Sequence, residues 1–431
     1  MSIGLYLLAK FNSSVQDPDR LLQQMSAWVH QRYSDLQPQT RQGFVETYPT
    51  LFCRLHPAAE ELELSLIDLD HLRASANTST VGPGYHIFAC SLLQAWARDF
   101  DAAWLSPEET SDDYWDEAEY FFTGDQQQVF DNMTAWLRTL TEGFFDGTLE
   151  PREPGDSATA LCMSMDVQFE SDQLAITPLG PRDSAWLLET SRDGAKGKDF
   201  FAWWTPGLNA EYFLGRALAQ MWSQVRWRPP VNDPERNLLQ DVANSLHIAN
   251  KLDPSLSYPW VEWAEVLEFL GTDNEEKDWV ISQRKGQPTI GYRRHNVTVM
   301  LPDNWSLRLP GSFSDFNSDE DNALCALDPP REIWFTAYRF TATPSAQSFE
   351  SKRRGILQSQ PELLHEDENY IAEATIQEKL RKSGECYFVL NSSNVAPSKR
   401  SVCTILFENP EDREWAIGVW RSLKPGSSPA E

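Results

Sequence analysis

Apolar positions recur with two periods along this chain, and the densest apolar block, Phe200–Gly271, frames the rest. Within Gly207–Val225 the residues Leu214, Leu218, Met221 and Val225 repeat at helical spacing and Trp222 widens the stripe, which predicts a helix with one buried face. In Asn232-Asp233-Pro234-Glu235 the aspartate can cap a helix start while proline takes the first turn; Leu238, Leu239, Val242, Leu246 and Ala249 then share a face. Trp260, Trp263, Leu267 and Leu270 repeat the pattern, and Gly271 is placed to stop that third helix. Trp203, Trp204, Trp222, Trp227, Trp260 and Trp263 gather in this block, and aromatic residues at helical spacing face inward, so the cluster reads as core rather than groove.

Before this block, residues 1–150 read as an α+β domain. Ser2–Ala9 is an apolar strand, and Asp17-Pro18 opens a helix whose Leu21, Leu22, Met25, Trp28 and Val29 share a face. Thr50–Leu55 and Leu62–Leu69 are strand candidates expected to pair. Gln126–Phe145 is a helix with Val129, Phe130, Met133, Trp136, Leu137, Leu140 and Phe144 on one side. Proline, glycine and charge around Leu149–Ser157 mark a linker. The middle region, 151–285, starts with strands: Leu161–Phe169 alternates as a half-buried strand, and Gln173–Thr177 and Trp186–Thr190 continue the sheet before the Trp-rich helices. From about residue 292 the texture becomes strand–turn–strand, with strands at Val297–Leu309 around a turn, Ile333–Phe340, Ala372–Gln377, Cys386–Asn391 and Val402–Phe407. A helix over Ser348–Gln358 and a last helix with Trp415, Val419 and Trp420 buried complete the third.

Composition adds limits. At 431 residues the chain exceeds one ordinary core, and 41% hydrophobic with 23% charged residues is globular. No run is long enough to span a bilayer, and Ser2–Ala9 lacks the basic leader of a signal peptide. Cys53, Cys90, Cys162, Cys325, Cys386 and Cys403 are scattered without a CxxC pair, which fits reduced thiols in a cytoplasmic protein better than a disulfide framework or a zinc site. The net charge of −27 is concentrated in the first half. That field repels phosphate backbones and anionic lipid, so it argues against nucleic acid and membrane as partners there and favours a basic protein.

Two local features carry candidate chemistry. Gly82-Pro83-Gly84-Tyr85-His86 is a turn running into a helix, where Gly82 and Gly84 allow unusual backbone geometry and the helix start offers N–H groups to an anion. The plain alternative is a tight turn with His86 packed beside Cys90. Glu108–Glu119 holds Asp112, Asp113, Asp116 and Glu117 around Tyr114 and Trp115, with no basic residue. This is either a docking strip for a basic partner or a solvated loop. Gly197-Lys198 lacks the rest of a phosphate loop, since Arg192 and Asp199 stand where glycine and serine or threonine are needed. No HExxH, GxSxG or GxGxxG motif is present, and the histidines have no metal-ligand spacing. Neither a metal nor a cofactor is expected.

The order of elements after residue 292, the Leu301-Pro302-Asp303-Asn304-Trp305 turn and the ending Thr404–Leu423 resemble the PsbP-like family, α/β/α sandwiches around an antiparallel sheet. The resemblance covers about a third of the chain and implies a binding or accessory module, with no catalytic residue to carry over. The resulting expectation is an α+β multidomain protein with three parts: an acidic α+β domain (1–150), strands followed by a Trp-rich helical subdomain (151–285) and a PsbP-like antiparallel-sheet sandwich (292–425). Its expected role is non-enzymatic, as an interaction or accessory protein such as an immunity partner that neutralises a basic protein. An enzyme with its site at the Gly82–His86 turn is the alternative.

Overall fold

A computed structural model describes residues 2–110, 114–146, 158–163, 167–273, 275–318, 323–339, 346–367 and 370–426. The architecture is mixed α+β and multidomain. The chain divides into two compact units, one comprising Met1–Ser164, Ser171–Val225 and Asn237–Gly291, the other Met165–Glu170, Arg226–Arg236 and Tyr292–Glu431.

The first unit is built on six antiparallel strands: β1 (Gly4–Phe11), β2 (Gln39–Val45), β3 (Tyr48–Arg54), β4 (Leu62–Leu66), β5 (His71–Asn77) and β6 (Ala102–Trp104), ordered β2-β3-β4-β5-β1-β6. Strand β1 is interior, and Leu5, Leu7 and Ala9 are buried on its core face. The two expected strands do pair, with Thr50 opposite Ser65. Helix α1 (Pro18–Arg32) starts where expected, because Asp17 Oδ1 accepts from the Arg20 N–H at 3.1 Å. Helix α2 (Pro83–Asp99) buries residues around most of its circumference, which marks it as a core helix.

The short α3 (Tyr120–Thr123) precedes α4 (Gln126–Asp146), and residues 147–157, where a linker is expected, lie outside those described. Elements on either side of that stretch share one core. Val129, Met133 and Leu137 of α4 pack with Leu187, Phe200 and Phe201, so 1–150 and the middle region are not separated by a solvated seam there.

The expected strand Leu161–Phe169 is not one strand. Residues 164–166 are outside the described set, while β7 (Thr159–Ala160) and β8 (Val167–Phe169) join different sheets. Strands β9 (Ala175–Thr177) and β10 (Gly180–Arg182) complete a small sheet with β7. The expected strand Trp186–Thr190 is instead helix α5 (Ser184–Arg192). Asp183 caps it by accepting the Trp186 N–H at 2.8 Å, and that local bond decides against a short apolar run becoming a strand.

The three Trp-rich helices form as α6 (Ala210–Ser223), α7 (Asp233–Leu252) and α8 (Trp260–Phe269), followed by α9 (Glu275–Gln283). The cap of α7 is Asn232, whose Oδ1 accepts the Glu235 N–H at 2.9 Å, rather than Asp233. Gly271, at φ 67°, ends the third helix as expected. Trp203 and Trp263 are fully buried. Trp260 stacks on Trp263 at 5.4 Å, and Trp279 meets Trp260 at 5.2 Å nearly perpendicular.

In the second unit, β11 (Asn296–Leu301) and β12 (Trp305–Pro310) form a hairpin flanked by β8 on one side and a terminal strand on the other. A seven-stranded antiparallel sheet follows, formed by β13 (Asn317–Ser318), β14 (Leu324–Asp328), β15 (Arg331–Arg339), β16 (Leu363–Asp367), β17 (Tyr370–Leu380), β18 (Cys386–Val395) and β19 (Lys399–Phe407), in the order β13-β14-β15-β19-β18-β17-β16. Helices α10 (Ala346–Ser359) and α11 (Arg413–Arg421) accompany it, and β20 (Lys424–Pro425) is the hairpin's terminal neighbour. Val419 and Trp420 are buried, and Trp415 is half-buried. The 301–305 turn is locked from beneath: the Lys399 ammonium donates to the carbonyls of Asp303 (2.8 Å), Asn304 (2.9 Å) and Gly426 (3.1 Å), and Trp305 is fully buried. No helix among the described residues is long and apolar enough to cross a membrane.

Candidate functional site

The turn before α2 is a packing joint. Gly82 has φ 120°, a conformation glycine adopts without strain, and a Cβ there would sit 2.8 Å from the Phe201 Cβ. At Gly84 φ is ordinary, but a Cβ would lie 2.8 Å from Trp203 Nε1 and 3.0 Å from the Thr205 carbonyl oxygen. The Gly84 N–H donates to the Trp203 carbonyl at 3.0 Å, and the Trp203 N–H donates to that of Val81 at 2.9 Å. The helix start offered to an anion by sequence reasoning is therefore covered by the Phe201–Thr205 segment. Tyr85 and His86 are 0% exposed, and burial pushes the Tyr85 hydroxyl up. Gly82, Gly84, Tyr85 and His86 hold the fold together and present no surface to a ligand.

His86 does have a titratable neighbour. Its Nδ1 is 2.9 Å from Thr78 Oγ1, and its Nε2 lies 3.1 Å from Asp116 Oδ1, off the axis of an ideal hydrogen bond. Asp116 accepts N–H groups from Ala118 (2.8 Å) and Phe121 (2.7 Å). Burial pushes its carboxyl up, yet contact with the His86 imidazole and those two N–H groups outweigh this and hold it below the usual carboxylate range. Cys90, one helical turn after His86, has its thiol pushed well up by burial and then by the Asp116 charge. The nitrogen, sulfur and oxygen donors of His86, Cys90 and Asp116 lie within 4.8 Å of one another, a donor set that suits zinc. As arranged, the Asp116 oxygens are already engaged by backbone N–H groups, so the cluster is a closed polar knot.

Outside this knot lies a groove. Residues 115–117 run beside the start of β1: the Tyr6 N–H donates to the Trp115 carbonyl at 2.9 Å, and the Glu117 N–H donates to that of Gly4 at 3.2 Å. The Glu117 carboxylate also accepts the Gly4 N–H. Extended backbone sends alternate side chains to opposite sides. Asp116 therefore turns inward to His86, while Trp115 and Glu117 face the surface. The groove has a volume of about 690 Å³ and is walled by Trp115, Glu117, Glu119 and Phe122, with Pro107 and an edge of Asp116.

Trp115 is 44% and Phe122 47% exposed. Trp115 rests edge-on against Tyr6 at 6.4 Å, and Phe122 rests edge-on against buried Phe121 at 5.0 Å, so both rings are held in place from behind. Glu119 accepts from Gln128 Nε2 at 2.6 Å. No basic side chain lines this groove among the described residues. Aromatic faces beside carboxylates have the chemistry that attracts a cationic group such as lysine or arginine.

The structure thus divides the acidic strip. Trp115 and Glu117 line the groove, Tyr114 is half-buried beside it, Asp116 is structural, and Asp112 and Asp113 lie outside the described residues. Phe122 and Glu119 belong to the groove and were not singled out from sequence. Phe122 is carried back toward Trp115 by a turn in which Glu119 adopts φ 59°, which residue type alone does not signal.

No family model matches this chain, and no curated protein matches it. A solved structure from Bacteroides thetaiotaomicron VPI-5482 aligns at 12% identity and a TM-score of 0.25, over 31% of this chain and 49% of that one. A likeness at that level carries no argument about fold or function.

Proposed function

We propose that this is a non-enzymatic interaction protein whose first unit captures a basic segment of another protein in the Trp115–Phe122 groove. The observation that carries this reading is the pairing of two exposed, rear-supported aromatic rings with carboxylates in one concavity of a chain of net charge −27. Long-range attraction speeds encounter with a basic partner, and the aromatic faces then hold a lysine or arginine head group. A neutralising role, as in an immunity protein paired with a basic toxin, is the form of this function that best suits the charge. The six free cysteines support action in the reducing cytoplasm. The antiparallel sheet with α10 and α11 supports reading the second unit as a PsbP-like accessory module.

Catalysis at the Gly82–His86 turn has the His86–Asp116 pair in its favour and the burial of His86 against it. Hydrogen–deuterium exchange on the full-length protein, with and without a lysine- and arginine-rich peptide, tests the binding reading. Protection gathered at 115–123 is the expected result. Protection elsewhere, or none, contradicts it.

A further inference from the structure

We propose that the second unit carries a binding site for a small phosphate-bearing ligand, in the cleft of about 510 Å³ lined by Arg226, Trp227, Arg293, Arg294, His295 and Gly311. Three guanidinium groups and an imidazole meet in one concavity of a strongly acidic protein. Arginine forks match phosphate oxygens two at a time, which a loose lysine cluster does not.

The cleft is built rather than incidental. Arg226 and Arg293 are each only 7% exposed, and both reach the Asp315 carboxylate, Arg226 by a hydrogen bond and Arg293 at 3.6 Å. Asp315 is itself 71% exposed and open to competition from water. Burial, and then repulsion from Arg226, outweigh the neighbouring carboxylates and bring Arg293 down to about 9. An oxyanion placed between the two guanidinium groups relieves that repulsion.

Arg294 is oriented separately. Its guanidinium stacks on the Trp227 ring at 3.7 Å, and Trp227 holds φ 54°, a backbone state that a bulky residue adopts only when its surroundings enforce it. Gly311 lets two backbone segments meet here, since a Cβ would lie 2.5 Å from the Arg293 Cα. The rim carboxylate Glu170 is engaged by Arg308, whose Nη2 donates to Oε2 at 2.8 Å. Glu235 is engaged by Arg228, at 2.6 Å and 3.1 Å. A cleft of this size exceeds a lone phosphate and leaves room for a small organic group attached to it.

The test is calorimetric titration of the full-length protein with inorganic phosphate, pyrophosphate and acetate, each against sodium chloride of equal ionic strength. Saturable binding of phosphate and pyrophosphate but not acetate is expected. Arg294→Met, at a half-buried position, should weaken it about tenfold, the loss of one charge-assisted fork, while the ligand-free protein keeps a cooperative melting transition. Arg293→Lys keeps the charge but loses the fork, and it should also weaken binding. Phosphate acting no differently from chloride, acetate binding as well as phosphate, or both variants binding like the native protein would each overturn the assignment.

Discussion

His86 Nε2 lies 3.1 Å from Asp116 Oδ1, and both side chains are buried directly behind the groove. Asp116 therefore anchors the groove-forming loop to α2. Asp116→Asn keeps the shape but removes the charge and should lower stability by roughly 2–4 kcal/mol at neutral pH. Because this carboxyl is held below its ordinary range, its stabilisation is present above the unfolded carboxylate pKa and disappears as pH falls through the folded value. Urea denaturation should show a clear gap between native and variant near pH 7 that narrows as pH falls below about 4. A gap independent of pH would assign the loss to packing.

His56 is wholly buried between Trp203 (6.1 Å) and Tyr212 (6.0 Å) and accepts the Ala58 N–H at its Nδ1. Burial, then the charge of Arg216, lower its pKa well below the ordinary value. The unfolded chain takes up a proton at about pH 6.5 that the folded chain refuses, so stability present above that pH is lost as pH falls below it. His56→Gln should flatten the decline in melting temperature between about pH 7 and pH 5. An unchanged decline would place its cause in other groups.

Arg216 donates to Asp241 at 2.7 Å in the core of the first unit, where Gln220 reaches the same oxygen at 2.6 Å. Asp241→Ala strands a buried guanidinium and should cost about 3–5 kcal/mol. Disrupting the solvated Arg32–Asp99 pair by Asp99→Ala should cost about 1 kcal/mol or less. Equal losses in chemical denaturation would mean that Arg216 finds water in the variant.

Gly82→Ala and Gly84→Ala should each destabilise by roughly 1–3 kcal/mol, for different reasons. The first forces alanine into a left-handed backbone, and the second drives a methyl group into Trp203. Trp203→Leu should relieve part of the Gly84→Ala loss and little of the Gly82→Ala loss. A double-mutant cycle checks this, and additivity at Gly84 would sink the steric account.

Long periodic segments were readable directly: Gln126–Phe145 appears as α4, and the opening apolar run as β1, one or two residues displaced. Short apolar runs were not, because a single polar residue decides them, as Asp183 does for Trp186–Thr190. Alternation across Leu161–Phe169 looked like one strand, yet Val167–Phe169 pairs with β11 while the Leu161 N–H, outside any strand, donates to the Ile176 carbonyl. At the groove, the acidic aromatic run exposed Trp115 and Glu117 as candidates, but only backbone direction separates them from inward-facing Asp116. The arginine cleft draws on residues near 226, 293 and 311, which spacing along the chain does not connect.

The groove is tested most directly by calorimetric titration of a lysine- and arginine-rich peptide into the native protein and into a Trp115→Ala/Phe122→Ala variant, at low and at moderate salt. Both rings are nearly half exposed, so the variant should stay folded with a modestly lowered melting temperature, and binding is compared well below that temperature. The account predicts that the native protein binds the peptide with an affinity that falls as salt rises, and that the variant binds about tenfold more weakly at either salt. Equal affinity for the two proteins, with the same salt dependence, would contradict it and leave the acidity as a general property of the surface.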